Sequence, residues 1–327
     1  MPPSVAVVGG GISGLAAAGA LHARGLDVVL IDRGQRLGGR LGARTLRGTG
    51  LPYDGRVVDL GASYLTADDA AFLELVGRWT ADGLARPWTD TFHVVGPQGL
   101  AGTTTGPLRY AAPGGLRSLA DDLALELPAV VNPRAVESVE RQADGVLVDG
   151  ERFDAAVLAM PDAQVLDVLA DDDPLVPRLE GVTWEPVLAL VAAFASRRWP
   201  DDVDGVFVND DPVLSFVADD GRRRGDGAPV LVAHSAPSFA AGHLDDPAGA
   251  APGLIERLSE VLGVPAPAWH EVKRWSLAKP DGHRPEPCGA EGRIAVCGDS
   301  WGARPRVQTA WLSGRAAAES VAGLLAG

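Results

Sequence analysis

Near the start of the chain, Gly9-Gly10-Gly11-Ile12-Ser13-Gly14 stands between the apolar run Val5 to Val8 and a stretch rich in alanine. Glycines at the first, third and sixth places of this segment suit one task. Gly9 permits a tight turn, Gly11 lets the backbone approach a pyrophosphate, and Gly14 lets the following helix lie close to the preceding strand. A helix that begins there turns unpaired N–H groups and its positive dipole end toward the phosphates. Asp32 falls 18 residues after Gly14, at the end of the next apolar run, where a carboxylate accepts hydrogen bonds from a ribose hydroxyl. Gly9, Gly11, Ile12, Ser13, Gly14 and Asp32, with Arg33 beside it, are therefore candidate ligands of the ADP half of a dinucleotide.

NAD and FAD share that fingerprint, so the discriminating residues must lie downstream. Leu37-Gly38-Gly39-Arg40-Leu41 follows Asp32 closely. Its glycines allow close backbone approach, and its guanidinium is shaped to hold phosphate oxygens in two parallel hydrogen bonds. The competing reading is a flexible basic loop, since Arg44 and Arg47 lie nearby. A third segment comes late: Val296-Cys297-Gly298-Asp299, then Val307-Gln308-Thr309-Ala310 and a helix containing Ser313-Gly314.

The elements that must position these residues follow from periodicity. Val5 to Val8 reads as a buried parallel strand, Ser13 to Arg24 as a helix ended by Gly25, and Val28 to Ile31 as a second buried strand, together one βαβ unit. Val57 to Leu60 is a further strand leading into Gly61-Ala62-Ser63-Tyr64, and Asp68 to Asp82 is a helix with Phe72, Leu75, Val76 and Trp79 on one face. From Trp88 to Tyr110 short strands alternate with glycines, as in a separate antiparallel lobe. A helix over Leu116 to Leu127 and strands at Val136 to Arg141 and Gly145 to Val148 precede Phe153 to Met160, an apolar strand of a sheet buried on both faces. Residues from about 171 to 280 carry the alternating segments Val187 to Phe194, Val213 to Val217 and Val230 to His234, which predict a mostly antiparallel sheet with one helix, Pro252 to Leu262. Ile294 to Cys297 then returns as a buried strand and Gln308 to Leu325 as a closing helix. The expected fold class is α/β. A discontinuous Rossmann-type cofactor domain (residues 1–66, 112–170 and 285–327) is joined by a second, mostly antiparallel β (α+β) substrate domain (67–111 and 171–284).

Composition excludes several partners. The net charge of −14, from 43 acidic and 29 basic residues, opposes nonspecific binding to nucleic acid or anionic membranes, so neither is expected. Arg222-Arg223-Arg224 reads as a solvated loop. No apolar run approaches the roughly 20 residues of a membrane helix. Met1-Pro2-Pro3-Ser4 has no basic n-region, so a soluble, cytoplasmic protein is expected. Cys288 and Cys297 lie far from CxxC spacing, and Cys297 reads as a buried small hydrophobe. His22, His93, His234, His243, His270 and His283 show neither metal-ligand nor triad spacing, so no metal is expected.

With these residues assembled, the chain resembles the renalase-like FAD-dependent oxidoreductases, small members of the monoamine oxidase-like flavoprotein superfamily. The resemblance rests on the order and spacing of several segments: Asp59-Leu60-Gly61-Ala62-Ser63-Tyr64-Leu65-Thr66, Ala112 to Leu116, Phe153 to Pro161, the stretch ending in His234, Lys273-Arg274-Trp275, and Ala295 to Asp299. It implies FAD as cofactor, with Gly39 and Arg40 near the pyrophosphate and Gly298 and Asp299 at the ribityl-phosphate region. Gln308 and Ala310 would begin a helix facing the flavin pyrimidine ring, where its dipole stabilises the anionic reduced flavin. Gly61, Ala62, Val136 and Met160 complete the implied cofactor set. Ser63 departs from the pattern, standing where members often carry Gln.

The resemblance further implies an oxidase that takes hydride at flavin N5 from off-pathway dihydro isomers of NAD(P)H and passes the electrons to O2, giving H2O2. Such a donor needs no strong base, only orientation and a dry flavin face. Tyr64, His234, Trp275 and Trp301 are the candidate catalytic residues, each lying in or beside a segment of resemblance. The alternatives are a hydrogen-bonded strand-end histidine for His234 and core packing for the tryptophans. Two other readings stay open: an amine oxidase or desaturase acting on a small amine or cyclic metabolite, and a non-catalytic flavin-binding protein.

Overall fold

Val5, Ala6 and Val7 have no exposed surface, as a strand must when it is paired on both edges and covered on both faces. In the computed structural model, which describes residues 1–96 and 99–327, these residues lie in the strand Ser4–Val8. The chain forms two compact units, one of residues 1–40, 119–183 and 280–327, the other of 41–118 and 184–279. Both are discontinuous. Residues 41–66 and 112–118, expected with the cofactor domain, cluster with the second unit.

The first unit is built on a six-stranded sheet in the order Gly289–Glu291, Ile294–Val296, Ala155–Leu158, Ser4–Val8, Asp27–Ile31 and Val130–Val131. All its pairings are parallel except that between Gly289–Glu291 and Ile294–Val296. Val5 sits opposite Val28 on one side and Ala155 on the other. This is the Rossmann-type α/β layer the sequence predicts. The helices Ile12–His22 and Val307–Ala326 pack together through small residues, so closely that a Cβ on Gly314 would lie 2.0 Å from the Ser13 carbonyl oxygen. A three-stranded antiparallel sheet, Val139–Gln142, Gly145–Val148 and Glu151–Phe153, adds Val146, Val148 and Phe153 to the core around Val8 and Leu158.

The second unit holds an eight-stranded sheet. Its order is Trp269–Asp281, Thr183–Ala193, Val230–Ser235, Leu214–Asp219, Gly205–Phe207, Arg86–Gly96, Gly99–Ala111 and Leu65–Thr66. It is mostly antiparallel, Gly205–Phe207 pairing parallel with Arg86–Gly96. The amphipathic helix Ala251–Leu262 buries Leu254, Leu258 and Val261 against Leu188, Leu190 and Leu231 of this sheet. Asp69 caps the helix Ala70–Ala81 by accepting from the N–H groups of Ala71 and Phe72, and Phe72, Val76 and Trp79 form its buried stripe.

One stretch differs in kind from its reading. Instead of several short strands from Trp88 to Tyr110, two long strands, Arg86–Gly96 and Gly99–Ala111, form a hairpin whose intervening Pro97 and Gln98 lie outside the described residues. The glycines that looked like strand breaks accompany register shifts within the hairpin, since Gly tolerates the irregular backbone of a bulge. Among the described residues no helix is long and apolar enough to cross a membrane.

Candidate active site

The glycine segment of the first unit forms the turn its spacing demands. Gly9 has φ of +108°, open to glycine without strain, and a Cβ on Gly14 would fall 1.8 Å from the Gly9 carbonyl oxygen. Gly11 differs: a Cβ there would meet nothing within 4 Å, so its smallness serves no packing within the protein. Gly11 is the N-cap of Ile12–His22 and, being glycine, brings no side chain to cap that helix. Its first N–H groups and dipole end are thus available to an anion. Asp32 is held rigidly, one carboxylate oxygen accepting from Gly10 N–H at 2.6 Å and the other from Gly34 N–H at 2.7 Å. A carboxylate has about four acceptor positions, so capacity for a ribose hydroxyl remains. An open Gly11, an uncapped helix start and an oriented carboxylate fit the ADP half of a dinucleotide. Arg33 and Gly39 are exposed, while Val136 and Met160 are half-buried at the edge of the core.

Arg40 and Asp299 meet side on. The Arg40 Nη1 and Nη2 atoms donate to the two Asp299 oxygens at 2.8 and 2.6 Å. The buried Gly298 gives its N–H to the Ser313 hydroxyl at 3.1 Å, tying this segment to the last helix. That helix starts after Arg306 with no side-chain cap, and Gln308 and Ala310 are buried in its first turn. Cys297 is fully buried, and burial pushes its thiol up to about 12, in keeping with a small hydrophobe. Trp301 also belongs to the first unit. It is 1% exposed and lies in the core beside Ile294 and Leu179, with the Arg284 guanidinium 4.5 Å above its ring. The packing alternative describes its surroundings there.

Tyr64, His234 and Trp275 fall in the second unit, where the segment from Asp59 to Leu65 links them. The Leu60 carbonyl accepts from Trp275 Nε1–H at 2.9 Å and also faces His234, which sits mid-sheet opposite Ala189 and Phe216. Burial, reinforced by the charge of Arg223, pushes the His234 pKa down to about 4, although the Leu60 hydrogen bond works the other way. His234 is neutral at pH 7. Its Nε2 is buried and, among the described residues, has no hydrogen-bond partner. The Tyr64 ring packs 5.6 Å from Phe92 and 6.1 Å from Phe216, whose own centroid is 6.3 Å from His234. Gly61, Ala62 and Ser63 are half-buried along the same segment.

Two features escape the sequence reading. The first corrects it: Arg222-Arg223-Arg224 is no solvated loop. Arg223 is fully buried and Arg224 is 6% exposed, because the helix Asp220–Arg224 sets Asp220 at i−3 and i−4 from them. Asp220 accepts hydrogen bonds from Arg56, Arg223 and Arg224, while Arg223 also donates to the Ser63 and Asp59 carbonyls at 3.0 and 3.2 Å. Burial pushes the Asp220 carboxyl up, but the charges of Arg223, Arg224 and Arg56 outweigh it and hold the group well below the usual carboxylate range. Asp59 lies 3.1 Å from Arg224, an ion pair whose angles are too poor for a hydrogen bond, and there burial prevails and raises its pKa. The Asp-Asp-Gly-Arg-Arg-Arg order was the available signal, since acid and base at i,i+3 and i,i+4 face each other on a helix.

The second feature is Arg109 in the strand Gly99–Ala111. It is 4% exposed, its guanidinium stands 3.9 Å from the Phe92 centroid and 5.4 Å from that of Tyr64, and among the described residues its buried Nε and Nη1 have no hydrogen-bond partner. No motif surrounds it, so spacing gave no signal.

Two family profiles match the chain: an NAD(P)-binding Rossmann-like domain over residues 7–79 and flavin containing amine oxidoreductase over residues 98–322. Human amine oxidase [flavin-containing] B is 48% identical over 71 residues, which are 22% of this chain and 12% of that protein. A lysine-specific histone demethylase 1 homolog of rice is 38% identical over 79 residues, 24% of this chain and 9% of its own. The matched part thus spans about an eighth of the length of the amine oxidase. Cyclohexylamine oxidase from Brevibacterium oxydans superposes with a TM-score of 0.80 over 100% of both chains at 14% identity. A putative protoporphyrinogen oxidase from Exiguobacterium gives 0.75 over 100% of this chain and 99% of its own at 17% identity, and both likenesses show the fold. The second profile covers more than half of the sequence, in agreement with the expected class of FAD-dependent oxidoreductase. The chain belongs to the flavin containing amine oxidoreductase family, and its cofactor is FAD.

Proposed function

We propose that the protein is a renalase-like oxidase, which takes hydride from dihydro isomers of NAD(P)H and delivers the electrons to O2 as H2O2. The observation that carries this reading is His234: neutral at pH 7, with a buried Nε2 that meets no hydrogen-bond partner and no carboxylate among the described residues. An imidazole with a pKa of about 4 is too weak to serve as general base near neutrality, where a useful base has a pKa close to the working pH. It suits a substrate that loses hydride alone and needs only to be held. FAD supplies the two-electron acceptor when bound. Nε2 of His234 accepts a hydrogen bond from a donor such as a carboxamide N–H. Trp275, fixed through Leu60, and Tyr64, fixed among Phe92 and Phe216, supply flat apolar surface for a ring.

A second reading, oxidation of a small amine, draws support from the aromatic cluster of Tyr64, Trp88, Phe92 and Phe216 and from the family profile. Anaerobic titration separates the two. Bleaching of the visible flavin absorption by dihydro isomers of NAD(P)H, with none by benzylamine or cyclohexylamine, is the expected result. Bleaching by the amines alone would transfer the proposal to the second reading.

A further inference from the structure

We infer that Arg109 is the anchor for an anionic group, a carboxylate or phosphate, carried by the substrate. The residue combines features that seldom coexist. The residue is 4% exposed, and among the described residues it forms no ion pair and neither Nε nor Nη1 meets an acceptor. Other arginines of the second unit meet carboxylates: Arg56 pairs with Asp220 and Asp226, Arg223 with Asp220, and Arg257 with Asp211 and Glu260. A guanidinium held out of water without a counter-charge is costly, and stacking on an aromatic face offsets only a small part of that cost. Here the stacking is on Phe92 at 3.9 Å, with Tyr64 at 5.4 Å and Phe207 at 5.8 Å. What would complete the site is an acceptor for these N–H groups, which carboxylate and phosphate oxygens provide.

The position is built into the sheet. Arg109 is paired across strands with Thr66 and with Thr89, one residue after Leu65 and one after Trp88, so its backbone is fixed on both sides. The charge also selects. The guanidinium over Phe92, close to one face of Tyr64, repels a second positive charge there. Tyr64 is common to this cluster and to the residues proposed to hold the hydride donor, so the inference rests on that reading for the molecule that carries the anion, though not for the anion itself.

The test is calorimetric titration of the FAD-loaded enzyme with nicotinamide mononucleotide, benzoate and benzylamine, on the wild type, Arg109→Met and Arg109→Lys. At least one of the two anions should bind the wild type about tenfold or more tightly than benzylamine, and weaken as salt is added. Arg109→Met should lose that preference and Arg109→Lys keep part of it, because charge survives while the guanidinium does not. Thermal stability should hold or rise in Arg109→Met, since an apolar chain of similar length replaces an unpaired buried charge. Binding of both anions by Arg109→Met as tightly as by the wild type would overturn the inference. So would a wild type that prefers benzylamine. A phosphate source is distinguished from a carboxylate one by which of the two anions responds. If anion binding depends on Arg109 while no dihydronicotinamide isomer reduces the flavin, the anchor stands and the proposed donor falls.

Discussion

Arg40 and Asp299, 259 positions apart in the chain, are joined by two parallel hydrogen bonds of 2.8 and 2.6 Å. The pair brings the early glycine-arginine segment and the late glycine-aspartate segment of the first unit together. Their side chains retain 30% and 14% exposure, so the bond itself contributes at most about 1 kcal/mol to folding. Its value lies in orientation. Arg40→Met should raise the Kd for FAD about tenfold, which is about 1.4 kcal/mol, with little change in the melting temperature of the apoprotein. Asp299→Asn should cost less, because the guanidinium survives with its charge less compensated. Fluorescence titration of the apoproteins with FAD checks the order; a larger loss in Asp299→Asn would make the carboxylate the direct contact.

Gly11 and Gly14, three residues apart, should respond to alanine in opposite ways. At Gly14 the new Cβ would overlap the Gly9 carbonyl oxygen at 1.8 Å, so the helix or the turn must move, and the protein should lose stability by several kcal/mol. At Gly11 the Cβ meets only open space. Gly11→Ala should fold with an unchanged melting temperature as apoprotein and bind FAD at least about tenfold more weakly. Differential scanning calorimetry with and without FAD separates the cases, and normal FAD affinity in Gly11→Ala would place the pyrophosphate elsewhere.

These residues also show where the sequence was legible. A parallel sheet covered on both faces writes itself as continuous apolar runs, which is why Val5 to Val8, Val28 to Ile31 and Ile294 to Cys297 were recognisable alone, and the glycine turn carries its own steric logic. The hairpin Arg86–Ala111 was not, because residues 101–108 are exposed and their glycine-threonine run carries no apolar alternation. Nor was the burial of Arg223 and Arg224, since the residues that enclose them, Asp59, Ser63 and Pro113, stand more than 100 positions away. Order along the chain set Tyr64 in the cofactor domain, apart from His234 and Trp275, whereas all three cluster in the second unit. It could not reveal that the Leu60 carbonyl links the last two.

The arginine cluster makes a stability prediction of its own. Asp220 faces Arg56, Arg223 and Arg224, so its loss leaves three guanidinium groups short of a partner in a buried place. Asp220→Asn should lower the free energy of unfolding by about 3–5 kcal/mol, the usual cost of breaking a buried ion pair from one side. Urea denaturation measures it. A loss below about 1 kcal/mol would mean that water or the Asp59 carboxylate takes over the compensation.

His234 ties stability to acidity. In the unfolded chain the imidazole takes up a proton near pH 6.5, whereas in the folded protein it does so only near 4. Between those values the unfolded state binds more protons, so stability is full above about pH 6.5 and falls as pH drops through 4. The difference of roughly 2.5 units corresponds to at most about 3.4 kcal/mol. His234→Gln keeps an acceptor beside the aromatic cluster but cannot titrate. Denaturation at pH 7 and pH 5 should therefore show a decline in the wild type that is smaller in the variant by about 1 to 2 kcal/mol. Flavin reduction supplies the matching kinetic test. A neutral His234 predicts a rate for the wild type that is flat from pH 6 to 9 in this group, and a variant that binds the donor more weakly without a new pH dependence. An inflection near pH 6.5 that disappears in His234→Gln would show an ordinary, solvated imidazole and remove the argument that separates hydride donation from base-assisted amine oxidation.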